Sequence, residues 1–242
     1  GYNVTGDIGG DIMSNIKITF DQSLPSSTDL TVSVINKLDI VNSVPSDLTV
    51  ITADGTEKAG YDGAMIYATD LEGKISKINL TGEVDVSKNI PTTTLFSAQS
   101  NTDNGRYVYK KAEATINDDN NLWLYFGTGN TQKLQNQSSN LLNRVYGIKD
   151  KNFPNFKTIS SVDTVSQCTT DTCPVPTNKL GWYVNLKNAQ KVTAGSTIFK
   201  DRVYFRIYER TTVAIVCKTG KAILKAYDKK CGAQLLNIGL GT

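Results

Sequence analysis

The residues whose types could do chemistry are few: four cysteines, some clustered carboxylates, and one run of alternating arginine and tyrosine. Cys168, Cys173, Cys217 and Cys231 allow three pairings. Their close spacings suggest local closures, Cys168 with Cys173 around "TTDT" and Cys217 with Cys231 across a hairpin. A structural zinc site competes with this reading, but neither spacing is CxxC and the chain has no histidine. Disulfides are therefore expected, and with them an oxidising compartment. The missing imidazole also removes the commonest general base, and Ser/His/Asp or Cys/His nucleophilic arrangements with it. No catalytic residue is assigned.

Three other stretches invite chemical readings. "NDDNN" (117–121) offers adjacent carboxylates, but neighbours on an extended chain diverge and Asn/Asp pairs are what a hairpin turn needs. "FGTGN" (126–130) has the glycines of a phosphate loop without its GK[ST] ending, so a nucleotide site is not supported. "DRVYFRIYER" (201–210) alternates, with Val203, Phe205 and Ile207 on one side and Arg202, Tyr204, Arg206, Tyr208 and Arg210 on the other. Such a face could stack bases, and it suits a protein partner, since Tyr and Arg are enriched in interfaces. The plainest reading is an outer strand whose long side chains shield an edge.

The elements that must position these residues are strands. Expected strands are "IKITF" (16–20), "LTVSVIN" (30–36), "AMIYAT" (64–69), "KISKINL" (74–80), "TLFSAQ" (94–99) and "RYVYKKAEATI" (106–116). They continue with "LWLYFGTG" (122–129), "RVYGIKD" (144–150), "GWYVNL" (181–186), "DRVYFRIYER" (201–210), "TTVAIVC" (211–217) and "AILKAYD" (222–228). Only "TQKLQNQSSNLLN" (131–143) has room for a short helix. The class is all-β. "LWLYF" and "TVAIV" are apolar throughout and should be covered on both faces, whereas 201–210 should be covered on one. That mixture fits stacked sheets better than a sandwich, with Trp123 and Trp182 filling the layers between them.

A phrase also repeats. "AMIYATDLEGKISKINLTGE" is echoed by "LWLYFGTGN" with "NRVYGIKDKN", and again by "DRVYFRIYERTT" with "KAILKAYDKKCG". Each unit is an aromatic-rich strand, a turn, and a strand closing on Lys or Asp near a Gly. At about 40–50 residues per propeller blade, 242 residues supply about five blades or fewer. The expected architecture is β-propeller-like, a single domain over 1–242 with inserted loops and an incomplete first blade in 1–53.

Lys plus Arg number 26 against 23 Asp plus Glu, a net charge of +3 that is not gathered into a block. This gives no case for nucleic acid or an acidic membrane surface. The apolar runs are strand-sized, well short of the roughly 20 residues a membrane helix needs, so no direct membrane insertion is expected. The opening "GYNVTGDIGG" has neither an initiator Met nor a signal segment, and reads as a mature or clipped product. Sequons at Asn3, Asn79 and Asn136 are expected on surface turns.

"IYATDLEGKISKINLT" is similar to the "YAGDLQG" strand-turn-strand signature of the PilY/PilC proteins associated with type IV pili. "TLFSAQ", "LWLYFGTGN", "NRVYGIKD", "LGWYVNL" and "STIFKDRVYF" follow in that family's order, and "CKTGKAILKAYDKKCG" resembles its Cys-bounded last blade. The resemblance spans about Asp54 to Gly232. It implies a secreted, quinoprotein-like C-terminal propeller displayed on the pilus, acting in pilus biogenesis and adhesion. Its implied partners are pilins or minor pilins, a host or surface receptor, and the remaining segment of a larger parent protein. Some members bind calcium in a loop before the "YAGD" strand, and the matching loop here is "DGTEKAGYDG" (54–63). Asp54, Glu57 and Asp62 are the candidate ligands, but Thr56 and Lys58 occupy the third and fifth positions, where carboxylates belong. The loop reads as a degenerate calcium site or an exposed turn.

The function expected is non-enzymatic binding, as a tip or assembly factor or adhesin of a type IV pilus. One alternative is a repeating filament subunit paired with a small helical pilin. Another is a quinone-dependent oxidoreductase, which the lack of adjacent cysteines and of an intact central funnel disfavours.

Overall fold

The computed structural model describes residues 43–52, 63–81, 90–98, 106–118, 120–135, 141–157, 166–168, 180–187, 189–210 and 220–241, and the backbone of 14–19 and 31–37. Among the described residues there are strands and turns and no helix. The all-β expectation holds. Residues 131–135 and 141–143 are not helical, and 136–140 lie outside the described residues.

β1 (Ser14–Thr19) and β2 (Thr31–Lys37) pair antiparallel as a two-stranded sheet. The remaining strands form three larger sheets, each filled by consecutive strands of the chain. The first runs β3 (Thr49–Ile51), β4 (Met65–Thr69), β5 (Lys74–Asn79) and β6 (Thr92–Ser97) in chain order. In the second, β7 (Glu113–Ile116), β8 (Leu122–Gly127) and β9 (Arg144–Asp150) lie side by side. β10 (Ser166–Gln167) and β11 (Gly181–Asn185) complete it, β11 against β9 and β10 parallel to β11. In the third, β12 (Gln190–Val192) and β13 (Thr197–Phe199) both pair with β14 (Arg202–Glu209). β15 (Lys221–Asp228) and β16 (Gln234–Gly241) follow. All larger-sheet pairings except β10–β11 are antiparallel, as short connections require. Among the described residues no sheet closes on itself.

The repeated phrase has a structural meaning. Its copies are β4–β5, β8–β9 and β14–β15, two adjacent interior strands of each sheet. The aromatic-rich strand and its partner thus recur wherever a sheet must be covered most completely.

The sheets stack face on face. Between the first and second, Met65, Tyr67, Ile75 and Phe96 pack against Leu124, Phe126, Tyr146 and Ile148. The Phe126 and Tyr146 rings stack with centroids 4.9 Å apart, and Phe96 lies 5.2 Å from Tyr146. Between the second and third, Trp123, Tyr125, Val145 and Trp182 meet Val203, Phe205, Ile207 and Tyr227. Here Tyr125 Oη and Trp182 Nε1 both donate to the Lys229 carbonyl, at 2.8 and 3.1 Å. The second sheet is therefore covered twice, and Leu122 to Phe126 are buried without a break. Both expectations from composition, a doubly covered "LWLYF" and tryptophans between layers, are met.

Most expected strands shift by one or two residues at an end, one begins well inside its expected range, and one is not placed. The run 106–116 is a strand only from Glu113, because its first half bonds irregularly. The Arg106 guanidinium donates to the carbonyls of Ala98 and Leu142, and the Tyr107 carbonyl accepts from Gly129 N–H. The expected strand 94–99 starts earlier, at Thr92. "TTVAIVC" (211–217) lies outside the described residues.

Candidate functional site: the free face of the third sheet

β14 buries Val203, Phe205 and Ile207 against the second sheet, so its other residues point away from the stack. Arg202 and Arg206 are exposed, and Tyr204, Tyr208 and Arg210 are half-buried. The structure thus brings the sequence-identified Arg/Tyr set onto one face. Its setting differs from expectation, however. β14 does not shield an edge, because β12 and β13 flank it on one side and β15 on the other. The edge is β16.

Register fills in the face. Tyr204 lies opposite Ala226 and Arg206 opposite Leu224, and these in turn oppose Leu236 and Ile238 of β16. Ile238 is 45% exposed, as are Leu235 at 46% and Leu240 at 58%. Beyond Arg202 on the other side stands Phe199, 62% exposed, with Lys200 Nζ 5.6 Å from its ring centre. The one carboxylate directly across from a β14 arginine is Asp228, opposite Arg202. The surface is therefore apolar and aromatic in the middle, cationic along β14, and bounded by an edge strand whose side chains are nearly all exposed. The Tyr208 hydroxyl accepts from Gln135 Nε2 at 2.7 Å, and the Tyr208 ring fills the space above Gly220, where an added Cβ would come within 2.5 Å of it. That ring is held in place. Such a face can bind a protein surface rich in carboxylates.

Sequence reasoning missed β16 and its three exposed apolar residues. "QLLNIGLG" does not alternate and contains two glycines, so only its length and its Leu/Ile content mark it.

The other candidate residues fare differently. Asp54, Glu57 and Asp62 of the calcium-type loop lie outside the described residues. Among the described residues, no three His, Cys, Asp or Glu side chains come together as a metal site would require. Cys168 is disulfide-bonded, while Cys173, the partner expected for it, and Cys217 lie outside the described residues. Cys231 sits in the turn after β15, its N–H donating to Asp228 Oδ1 at 2.9 Å.

Around "NDDNN" the described residues close a turn between β7 and β8, with Asn117 N–H on the Asn121 carbonyl, Asn120 N–H on the Asn117 carbonyl, and Asn120 at φ 56°, while Asp119 lies outside the described residues. The glycines of "FGTGN" serve packing instead of a phosphate: a Cβ on Gly127 would come within 2.4 Å of the Val192 side chain. Asn79 of the central sequon ends β5 half-buried, its side-chain oxygen accepting from Thr81 N–H at 3.0 Å. Asn3 and Asn136 lie outside the described residues. No described helix is long and apolar enough to cross a membrane.

A second polar constellation is buried between the first and second sheets, and nothing in the sequence reading singled it out. Lys77 of β5, Asp150 of β9 and Tyr67 of β4 meet there, with Lys77 Nζ 2.6 Å from Asp150 Oδ2. The only sequence signal is a lysine at an inward position of "KISKINL", where Ile75 is its same-face neighbour.

Comparison with protein-family models, with curated proteins and with solved structures finds no match to this chain.

Proposed function

We propose that this chain is part of a PilY-like, pilus-associated β-propeller that works by binding, as a tip or assembly factor or adhesin of a type IV pilus. In this reading the three larger sheets are successive blades. Support comes from three directions. Each sheet is built from consecutive strands, as blades are, and the sheets stack with the middle one covered twice. The repeated phrase occupies two adjacent interior strands in all three. The quoted motifs follow the order found in that family.

The observation that carries a binding role is the free face of the third sheet. Exposed apolar surface beside Arg and Tyr is the composition of a partner-binding patch. Its arginines call for carboxylates, so a pilin or minor pilin presenting an acidic surface is the partner that fits.

The test is quantitative mass spectrometry of purified pili, counting this chain against the major pilin. Far fewer copies of this chain than of pilin are expected. Equal numbers would make it a repeating unit of the filament wall and overturn the reading.

A further inference from the structure

The Lys77–Asp150–Tyr67 constellation has the parts of a bond-forming site. Both charged side chains are wholly buried. Asp150 Oδ2 receives the Tyr67 hydroxyl at 2.7 Å as well as Lys77 Nζ at 2.6 Å, and Asp150 Oδ1 accepts the Asn152 N–H at 3.1 Å. Lys77 Nζ also donates to the Asn155 carbonyl at 3.0 Å, with the Phe156 ring centre 6.0 Å away. The surroundings are the apolar cluster between the first two sheets. Each group is thus held from two sides and shut off from solvent.

An ion pair so deep is costly, since desolvating each charge costs several kcal/mol that mutual attraction need not return. Passing one proton from the ammonium to the carboxylate leaves an amine touching a carboxylic acid, both uncharged. Two reacting groups held in contact gain an effective concentration on the order of 10⁵ M or more over the same groups free in water. The geometry points to a covalent outcome: Lys77 and Asp150 condense into an intramolecular amide, an isopeptide bond joining the first and second sheets.

The step balances within the protein. The Nζ lone pair attacks Asp150 Cγ, and the negative charge that develops on Oδ1 is met by the Asn152 N–H. Tyr67 gives its proton to the Oδ2 hydroxyl and takes one from Nζ. The Cγ–Oδ2 bond then breaks, Oδ2 leaves as water, and the Cγ–Oδ1 double bond re-forms. Tyr67 ends as it began, and no oxidant or co-reactant is needed.

The experiment is intact-mass spectrometry of the folded, purified chain after denaturation and reduction. The expected mass is lower than that of the sequence by one water, with a branched peptide linking positions 77 and 150 in the digest. The Lys77→Met variant should keep the full mass. Asp150→Asn should lose ammonia in place of water. Tyr67→Phe should fold and leave most of the chain unlinked. A folded wild-type chain that retains its full mass after prolonged incubation overturns the proposal, and so does a water loss that persists in Lys77→Met. The branched peptide of the wild type decides the matter even where a variant does not fold.

Discussion

At the scale of single residues, Trp182 shows how closely the layers fit. An added Cβ on Gly147 would lie 2.5 Å from its indole, and one on Gly232, at φ +76°, would lie 2.5 Å from it as well. Tyr125 and Tyr227 pack beside the same ring, with centroids 6.1 and 6.2 Å away. The indole has nowhere to retreat. Gly147→Ala is expected to cost about 1–3 kcal/mol, the usual penalty of overpacking a full core, and a urea titration would read it. Asp70 yields a pH prediction. Burial raises its carboxyl above the ordinary value of 3.8, although Oδ1 accepts the Lys74 N–H at 2.9 Å in the turn between β4 and β5. A raised folded pKa means that the folded state holds the proton more tightly. The stability this contributes is present below the unfolded value and is lost as pH rises through the folded one. Asp70→Asn keeps the accepting oxygen and removes the charge. It should melt higher than the parent at neutral pH, with the gain fading at acid pH; a uniform gain across pH would show that burial of the charge is not the cause. Much at this scale was legible in advance. The burial of Trp123 and Trp182 and the two-sided character of 202–209 follow from apolar content and period. The Lys77–Asp150 pair was not legible, because its partners come from different sheets and only the stacking brings them together.

At the scale of elements, β14 carries the clearest expectation. Arg206→Glu changes an exposed residue opposite Leu224, so stability should stay within about 0.5 kcal/mol of the parent. Binding to an acidic pilus surface should fall sharply, which co-sedimentation with purified type IV pili would measure. Unchanged co-sedimentation would mean that the partner is held elsewhere. The long strands were readable because they show a period or a continuous apolar run. β3, β12 and β13 were not, since three residues each are too few to display alternation. The run 106–112 has strand-like residues yet bonds irregularly, because the carbonyls of Lys110 and Ala112 accept from the Thr69 and Thr49 hydroxyls and that of Tyr107 from the Gly129 N–H. There local propensity lost to tertiary contacts.

At the scale of the whole molecule, the stack ends on a surface that resembles an interior. Leu235, Ile238 and Leu240 stand exposed on an edge strand, a combination that invites pairing with another chain. Sedimentation velocity should show association that grows with concentration, and placing lysine at both Ile238 and Leu240 should reduce it. If association is the same in that variant, the edge is not its cause. The stacked arrangement was legible from the repeated phrase and from the two kinds of strand, whereas the open end was not, because β16 carries no pattern. The doubly covered second sheet has one more consequence, for the order in which the molecule comes apart. Among the described sheets each outer one packs on one neighbouring sheet, but the middle one on two, so fraying should begin at the ends of the stack and reach β8 last. Its amides would then be the slowest to exchange with solvent, and their protection would report on the cooperativity of the whole stack.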